Sequence, residues 1–139
     1  MRKNDPVSHV MSSDVITLDV NDPVSKARTL FESSGIHHLP VVKGKELVGL
    51  LTWSDFLRIS FGEFGNQDVR NLDAVLDHTY KLTDVMQANP VTMPSSGTVR
   101  DAAQILGSQG FHSIPVVDGS TLTGIVTSTD LIRYLFDQY

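Results

Sequence analysis

Two short phrases hold the residues best suited to bind something. GLLTWSD runs from Gly49 to Asp55, and GIVTSTD from Gly124 to Asp130. Each places a threonine three residues ahead of an aspartate, as Thr52/Asp55 and Thr127/Asp130. Thr-x-x-acid before an apolar periodic run is a capping box, in which side chains and backbone N–H groups satisfy each other at a helix start. The same pair also sets a hydroxyl beside a carboxylate, and an ionised carboxylate accepts two hydrogen bonds at once. The two roles are compatible. His37 and His112 stand at matching distances ahead of the two phrases. His38 follows His37, but neighbours on an extended strand point to opposite faces, so this pair cannot chelate one metal ion. Cysteine is absent, which excludes disulfides, thiolate metal sites and cysteine nucleophiles. No phosphate-binding P-loop, dinucleotide G-x-G-x-x-G fingerprint or recognisable triad is present. The chemistry expected is binding, with no catalytic residue and no metal.

The elements that position these residues are written twice. A shift of 75 aligns His9–Ser60 with Asp84–Leu135 without a gap. Val10, Met11, Thr17, Val24, Ala27, Gly35, His37, Pro40, Val41, Val42, Gly44, Leu47, Gly49, Thr52, Asp55 and Arg58 each recur at the shifted position. Internal duplication on this scale marks two copies of one structural unit. In each copy a short β-branched run comes first, Val15–Leu18 and then Val91–Met93. Helix-start signals follow. Asp22-Pro23 supplies an acid at the cap and a proline at the first helical position, and Thr98 with Asp101 forms a capping box. Val24, Ala27, Leu30 and Phe31, then Val99, Ala102, Ile105 and Leu106, keep helical spacing up to Gly35 and Gly110 as left-handed caps. HLPVV and SIPVV read as strands, Lys43-Gly44 and Asp118-Gly119 as hairpin turns, and ELVGLL and TLTGIV as the returning strands. Ser54–Ile59 and Thr129–Phe136 are short amphipathic helices. The order is β-α-β-β-α, twice. This gives an α/β (α+β) fold with repeats over 7–60 and 80–137, joined by a linker at 61–79 that opens glycine-rich and carries one short helix.

With 139 residues, 40% hydrophobic and 19% charged, the chain can bury a core of its own. Its net charge of −5 and scattered basic residues argue against nucleic acid, which demands clustered Lys and Arg. No apolar run approaches the roughly 18 residues of a membrane span. The opening MRKNDPVSHVM has no apolar signal core, so a cytoplasmic protein is expected.

VMSSDVITL, GIHHLPVV and GLLTWSD, with VMQANPVTM, GFHSIPVV and GIVTSTD, resemble in order the motifs of the cystathionine-β-synthase (CBS) domain. The resemblance covers nearly the whole chain and is that of a stand-alone, bacterial-type tandem pair, a Bateman module. It implies two repeats packed through their sheets about a pseudo-twofold axis, with two clefts for adenosyl ligands: AMP, ADP, ATP, S-adenosylmethionine or NAD-type molecules. It implies homodimerisation and a regulated protein partner, and no required cofactor. It assigns the ribose hydroxyls to Asp55 and Asp130, and phosphate to the helix starts at Thr52 and Thr127, where backbone N–H groups and the helix dipole favour an anion. Thr129 adds a hydroxyl in the second copy, and Ser54 is its counterpart. The preferred cleft would join Thr127, Thr129 and Asp130 to Ile16, Thr17, Ala27, Ile36 and His37. The other would join Thr52, Ser54 and Asp55 to Val91, Thr92, Ala102, Phe111 and His112. Ala27 and Ala102 would leave room for adenine, and the two histidines would meet phosphate. His38 stands where relatives carry an arginine, which weakens that phosphate grip. Trp53 either stacks near a ligand or fills the first cleft. In the latter case a ligand-independent interaction module is the competing reading.

Overall fold

A computed structural model describes residues 4–62 and 69–139; the glycine-rich opening of the linker, at 63–68, lies outside the described residues. The chain forms two compact units of mixed α+β structure. One is Ile16–Asn89; the other joins the start of the chain, up to Val15, to Pro90–Tyr139.

The Ile16–Asn89 unit contains β1 (Leu18–Asp19), α1 (Val24–Ser34), β2 (His38–Lys43), β3 (Glu46–Thr52), α2 (Trp53–Gly62), α3 (Val69–Thr79), α4 (Leu82–Val85) and β4 (Gln87–Ala88). β1 runs parallel to β2, β2 and β3 form an antiparallel hairpin, and β4 pairs antiparallel with β3. The expected strand Val15–Leu18 shrinks to its end, because only Leu18 and Asp19 find partners, Val41 and Val42. Ile16, at 41% exposure, lies outside the ladder. The expected cap at Asp22 is also corrected. The helix starts at Val24, one residue later than read, with Pro23 as a cap that makes no side-chain bond. The Asp22 carboxylate instead accepts the Asp19 N–H at 2.8 Å and pairs with Lys26 at 3.1 Å. Gly35 closes α1 at φ 65°, a conformation costly for any residue with a Cβ.

The core of this unit gathers Leu18, Val24, Ala27, Phe31, Leu39, Val41, Leu51 and Phe56 from its first repeat, with Leu76 and Leu82 from beyond it. α3 is therefore more than a spacer. Leu76 is fully buried, and Arg28 on α1 grips Asp73 through two bonds of 2.6 Å. The Ser25 N–H and hydroxyl donate to Asp77 at 2.8 and 2.6 Å. Hydrogen bonding to Asp73 raises the Arg28 pKa against the opposing effect of burial, so the guanidinium stays charged.

The second unit contains β5 (Met93–Pro94), α5 (Val99–Gln109), β6 (Ser113–Asp118), β7 (Thr121–Thr127) and α6 (Ser128–Asp137). β5 is parallel to β6, and β6 and β7 form the hairpin. Here too the expected strand Val91–Met93 is cut to its end, since only Met93 and Pro94 pair with β6. The Thr98 box is present, with the Asp101 N–H donating to Thr98 Oγ1 at 3.1 Å and the Thr98 N–H to Asp101 Oδ2 at 2.9 Å. Both hairpins shift register at the same place, between Val41 and Val42 and between Val116 and Val117.

The opening segments are exchanged. Val7 is fully buried in the core of the second unit, beside Met93, Ala102, Ile114, Val116 and Val126. Ser12 pairs with Ile125 through two backbone bonds of 2.9 Å. The matching segment, Leu82 to Ala88, does the same for the first unit: Leu82 is fully buried there and Gln87 pairs with Leu50. Each Val-Met phrase thus serves the hairpin of the other repeat. Met11 lies on Gly124 and Met86 on Gly49, each so close that a Cβ on the glycine would meet sulfur at 2.6 and 2.4 Å.

Candidate functional site

The two Thr-x-x-Asp phrases occupy the same place in their units. β3 ends at Thr52 and α2 begins; β7 ends at Thr127 and α6 begins. Both phrases are capping boxes. Thr52 Oγ1 accepts the Asp55 N–H at 3.2 Å and Asp55 Oδ2 accepts the Thr52 N–H at 3.3 Å. Thr127 Oγ1 accepts the Asp130 N–H at 3.2 Å and Asp130 Oδ2 accepts the Thr127 N–H at 2.8 Å. The first N–H of each helix donates to a histidine carbonyl: Trp53 to His37 at 2.8 Å, and Ser128 to His112 at 2.9 Å. The histidine backbones therefore help hold these helix starts, while both histidines are exposed.

Beyond the shared cap the two carboxylates differ. Asp55 is 6% exposed and fully engaged. Its Oδ2 accepts a second bond, from Gln87 Nε2 at 3.1 Å, and its Oδ1 accepts Arg58 Nη2 at 3.1 Å. Asp130 is half-buried, and among the described residues its Oδ1 has no partner. Arg133, the counterpart of Arg58, makes no bond to it, and the counterpart of Gln87 is Ser12. Neither Arg58 nor Gln87 was assigned a role from the sequence. Arg58 lay three residues from Asp55 on one helix, a spacing that permits contact. Gln87 is 32 residues away and carried no signal.

Trp53 belongs to an aromatic cluster. Its ring meets Phe31 edge-on at 5.4 Å and stacks on Phe56 at 5.8 Å. Leu106, Ser128 and Leu131 stand at the matching positions of the second copy, so nothing aromatic borders Asp130 from that cluster.

The other predicted residues are placed in matching pairs. Thr129 and Ser54 are exposed on the first turns of α6 and α2. Ile16 and Val91 are exposed, Thr17 and Thr92 half-buried. Ile36 and Phe111 pack against their respective cores. Ala27 and Ala102 are both fully buried core residues. Of the preferred set, Thr127, Thr129 and Asp130 belong to one unit, and Ile16, Thr17, Ala27, Ile36 and His37 to the other. Among the described residues no three His, Asp or Glu side chains converge as a metal site, and no helix is long and apolar enough to cross a membrane.

Known proteins share this arrangement. The family model described as CBS domain matches residues 7–62 and again 82–137. Protein MJ1404 of Methanocaldococcus jannaschii, an uncharacterized protein, is 31% identical over 144 aligned positions, 97% of this chain and 33% of that one. The chain spans less than half the length of several archaeal relatives. The crystal structure of CBSX2 in complex with AMP superposes with a TM-score of 0.80 at 24% identity, covering 96% of this chain and 98% of that one. The CBS domain pair of MJ0100, in complex with 5′-methylthioadenosine and S-adenosyl-L-methionine, gives 0.74 at 25% identity, over 94% and 98%. Each matched span includes one Val-Met phrase and runs on through one Thr-x-x-Asp helix, so the chain is a tandem pair of CBS domains and belongs to the CBS domain family.

Proposed function

We propose that this chain is a regulatory module that senses an adenosine-containing ligand, AMP, ADP, ATP, S-adenosylmethionine or an NAD-like molecule, and that Asp130 takes its ribose. One observation carries the reading: Asp130 caps α6 with one oxygen and keeps the other unshared and accessible. A carboxylate so held needs no reorganisation to accept a hydroxyl, and a charged acceptor makes the stronger kind of hydrogen bond. The exposed Thr129 hydroxyl and the start of a ten-residue helix lie beside it and suit a phosphate or other anionic group. The MJ0100 pair, 25% identical, holds two ligands that share an adenosine moiety, which supports the adenosyl class. The test is thermal unfolding with AMP, ATP, S-adenosylmethionine and NADH in turn. A ligand at about 100 times its Kd stabilises by about 2.7 kcal/mol. For a chain of this size that is an upward shift of roughly 8 °C. Asp130→Ala should abolish it. No shift with any of the four would defeat the reading.

A second reading, self-association, has its own observation. Ile132, Leu135, Phe136 and Tyr139 lie on one face of α6 and its continuation, exposed by 66%, 42%, 80% and 96%. No α6 residue is buried, although the helix is amphipathic. Such a face favours a homodimer, which sedimentation of the free protein would detect.

A further inference from the structure

Resting on the ribose reading of the Thr-x-x-Asp aspartates, we infer that Gln87 closes the first copy to ligand, so that each chain takes one adenosine-containing ligand, at Asp130. A ribose diol needs open carboxylate oxygens. At Asp55 Oδ2 is filled by two donors, the Thr52 N–H and Gln87 Nε2, and Oδ1 also accepts Arg58, whereas among the described residues Asp130 Oδ2 holds only the Thr127 N–H. Asp55 is 6% exposed, whereas Gln87 is exposed. The glutamine is thus an outer partner, and a diol that uses both oxygens must displace it from Oδ2.

Backbone pairing fixes where that amide sits. Gln87 lies on β4, opposite Leu50 of β3, the strand that delivers Thr52. In the second copy the same register holds Ser12 opposite Ile125 of β7, the strand that delivers Thr127. The two frames match, but the serine side chain ends one methylene and one carbonyl carbon short of the glutamine amide nitrogen. No bond from Ser12 to Asp130 is formed among the described residues. The arginine does not make the distinction. Arg58 and Arg133 are the same residue type, and the Arg58 side chain is 74% exposed, where an ion pair is solvent-screened and readily opened. The residue that differs is the one at 87 and 12.

Ligand at Asp55 binds only the fraction of molecules in which Gln87 has let go, and apparent affinity falls by that fraction. A hydrogen bond to a charged group corresponds to about a tenfold to hundredfold penalty.

The experiment is titration calorimetry of the whole chain with AMP and, separately, S-adenosylmethionine, counting sites per chain. Wild type should bind one, and Asp130→Asn none in the same concentration range. Gln87→Ser should bind two. Gln87→Met, which keeps the length without the donor and guards against a folding effect of serine, should also bind two. Ser12→Gln should weaken the remaining site by about tenfold to hundredfold. Two equal sites in wild type, or one site in both Gln87 variants, would overturn the role of Gln87 and leave the adenosyl reading standing. No binding to any variant would overturn the adenosyl reading and this inference with it.

Discussion

Gly49→Ala and Gly124→Ala are the same substitution at equivalent positions, yet the structure predicts unequal losses. At Gly49 the three atoms nearest an added Cβ all belong to the Met86 side chain: Sδ at 2.4 Å, Cε at 2.9 Å and Cγ at 3.0 Å. Methionine has three rotatable bonds and can yield. Overpacking then costs about 1 kcal/mol, the low end for inserted methylenes, reduced further by the ~0.5 kcal/mol alanine gains through the unfolded chain. At Gly124 the Cβ meets Met11 Sδ at 2.6 Å and Cε at 3.0 Å, but also the Ser12 carbonyl oxygen at 2.9 Å. That oxygen accepts the Ile125 N–H at 2.9 Å, so it cannot retreat without stretching the bridge that docks the opening segment. The cost rises to about 3 kcal/mol. Thermal unfolding should register a drop of about 1–2 °C for Gly49→Ala and about 9 °C for Gly124→Ala. Double-mutant cycles sharpen the test. Gly49→Ala with Met86→Ala should be no worse than Met86→Ala alone, because the three atoms nearest the added Cβ are gone. Gly124→Ala with Met11→Ala should recover only part of its loss, because the carbonyl remains. Equal losses at the two glycines, or strict additivity in the Met86 cycle, would refute the reasoning.

Three further substitutions test other joints of the molecule. Asp73→Ala strips the part-buried Arg28 of its bidentate partner and should cost about 2 kcal/mol in urea denaturation. Thr127→Val removes the acceptor for the Asp130 N–H and should lower stability by about 1 kcal/mol, read in the same assay. Phe136→Asp puts a charge at the centre of the exposed α6 face; sedimentation should show the self-association of the parent chain lost, with the unfolding temperature of the monomer unchanged within about 2 °C, as for surface substitutions generally.

Local features were the most legible. The hairpins, the Thr98 box and the left-handed Gly35 and Gly110 depend on residues a few positions apart, and each lies where residue type and spacing put it. The edge strands were less so. Val15–Leu18 has strand composition throughout, but a strand exists only where a partner offers its backbone, and within that run β2 pairs with Leu18 alone. The linker helix was visible as spacing around Leu72 and Leu76. Its clamp on α1 was not, because Arg28–Asp73 and Ser25–Asp77 span 45 and 52 residues. The exchange of opening segments left only an indirect trace, a glycine and a Val-Met pair repeated together.

The sequence by itself determined that the chain is one unit written twice, that each copy ends in a capped helix, and that a threonine and an aspartate meet at each cap. Those features follow from residue type acting over three or four positions, where the backbone has little choice of partner. Tertiary structure decided which aspartate is left open. Thr52/Asp55 and Thr127/Asp130 are chemically alike and equally placed, but exchange of the opening segments brings Gln87 to one carboxylate and Ser12 to the vicinity of the other. A hydrogen bond between side chains 32 residues apart depends on strand register, and register is set by the packing of Val7 and Leu82 into cores that neither belongs to by sequence.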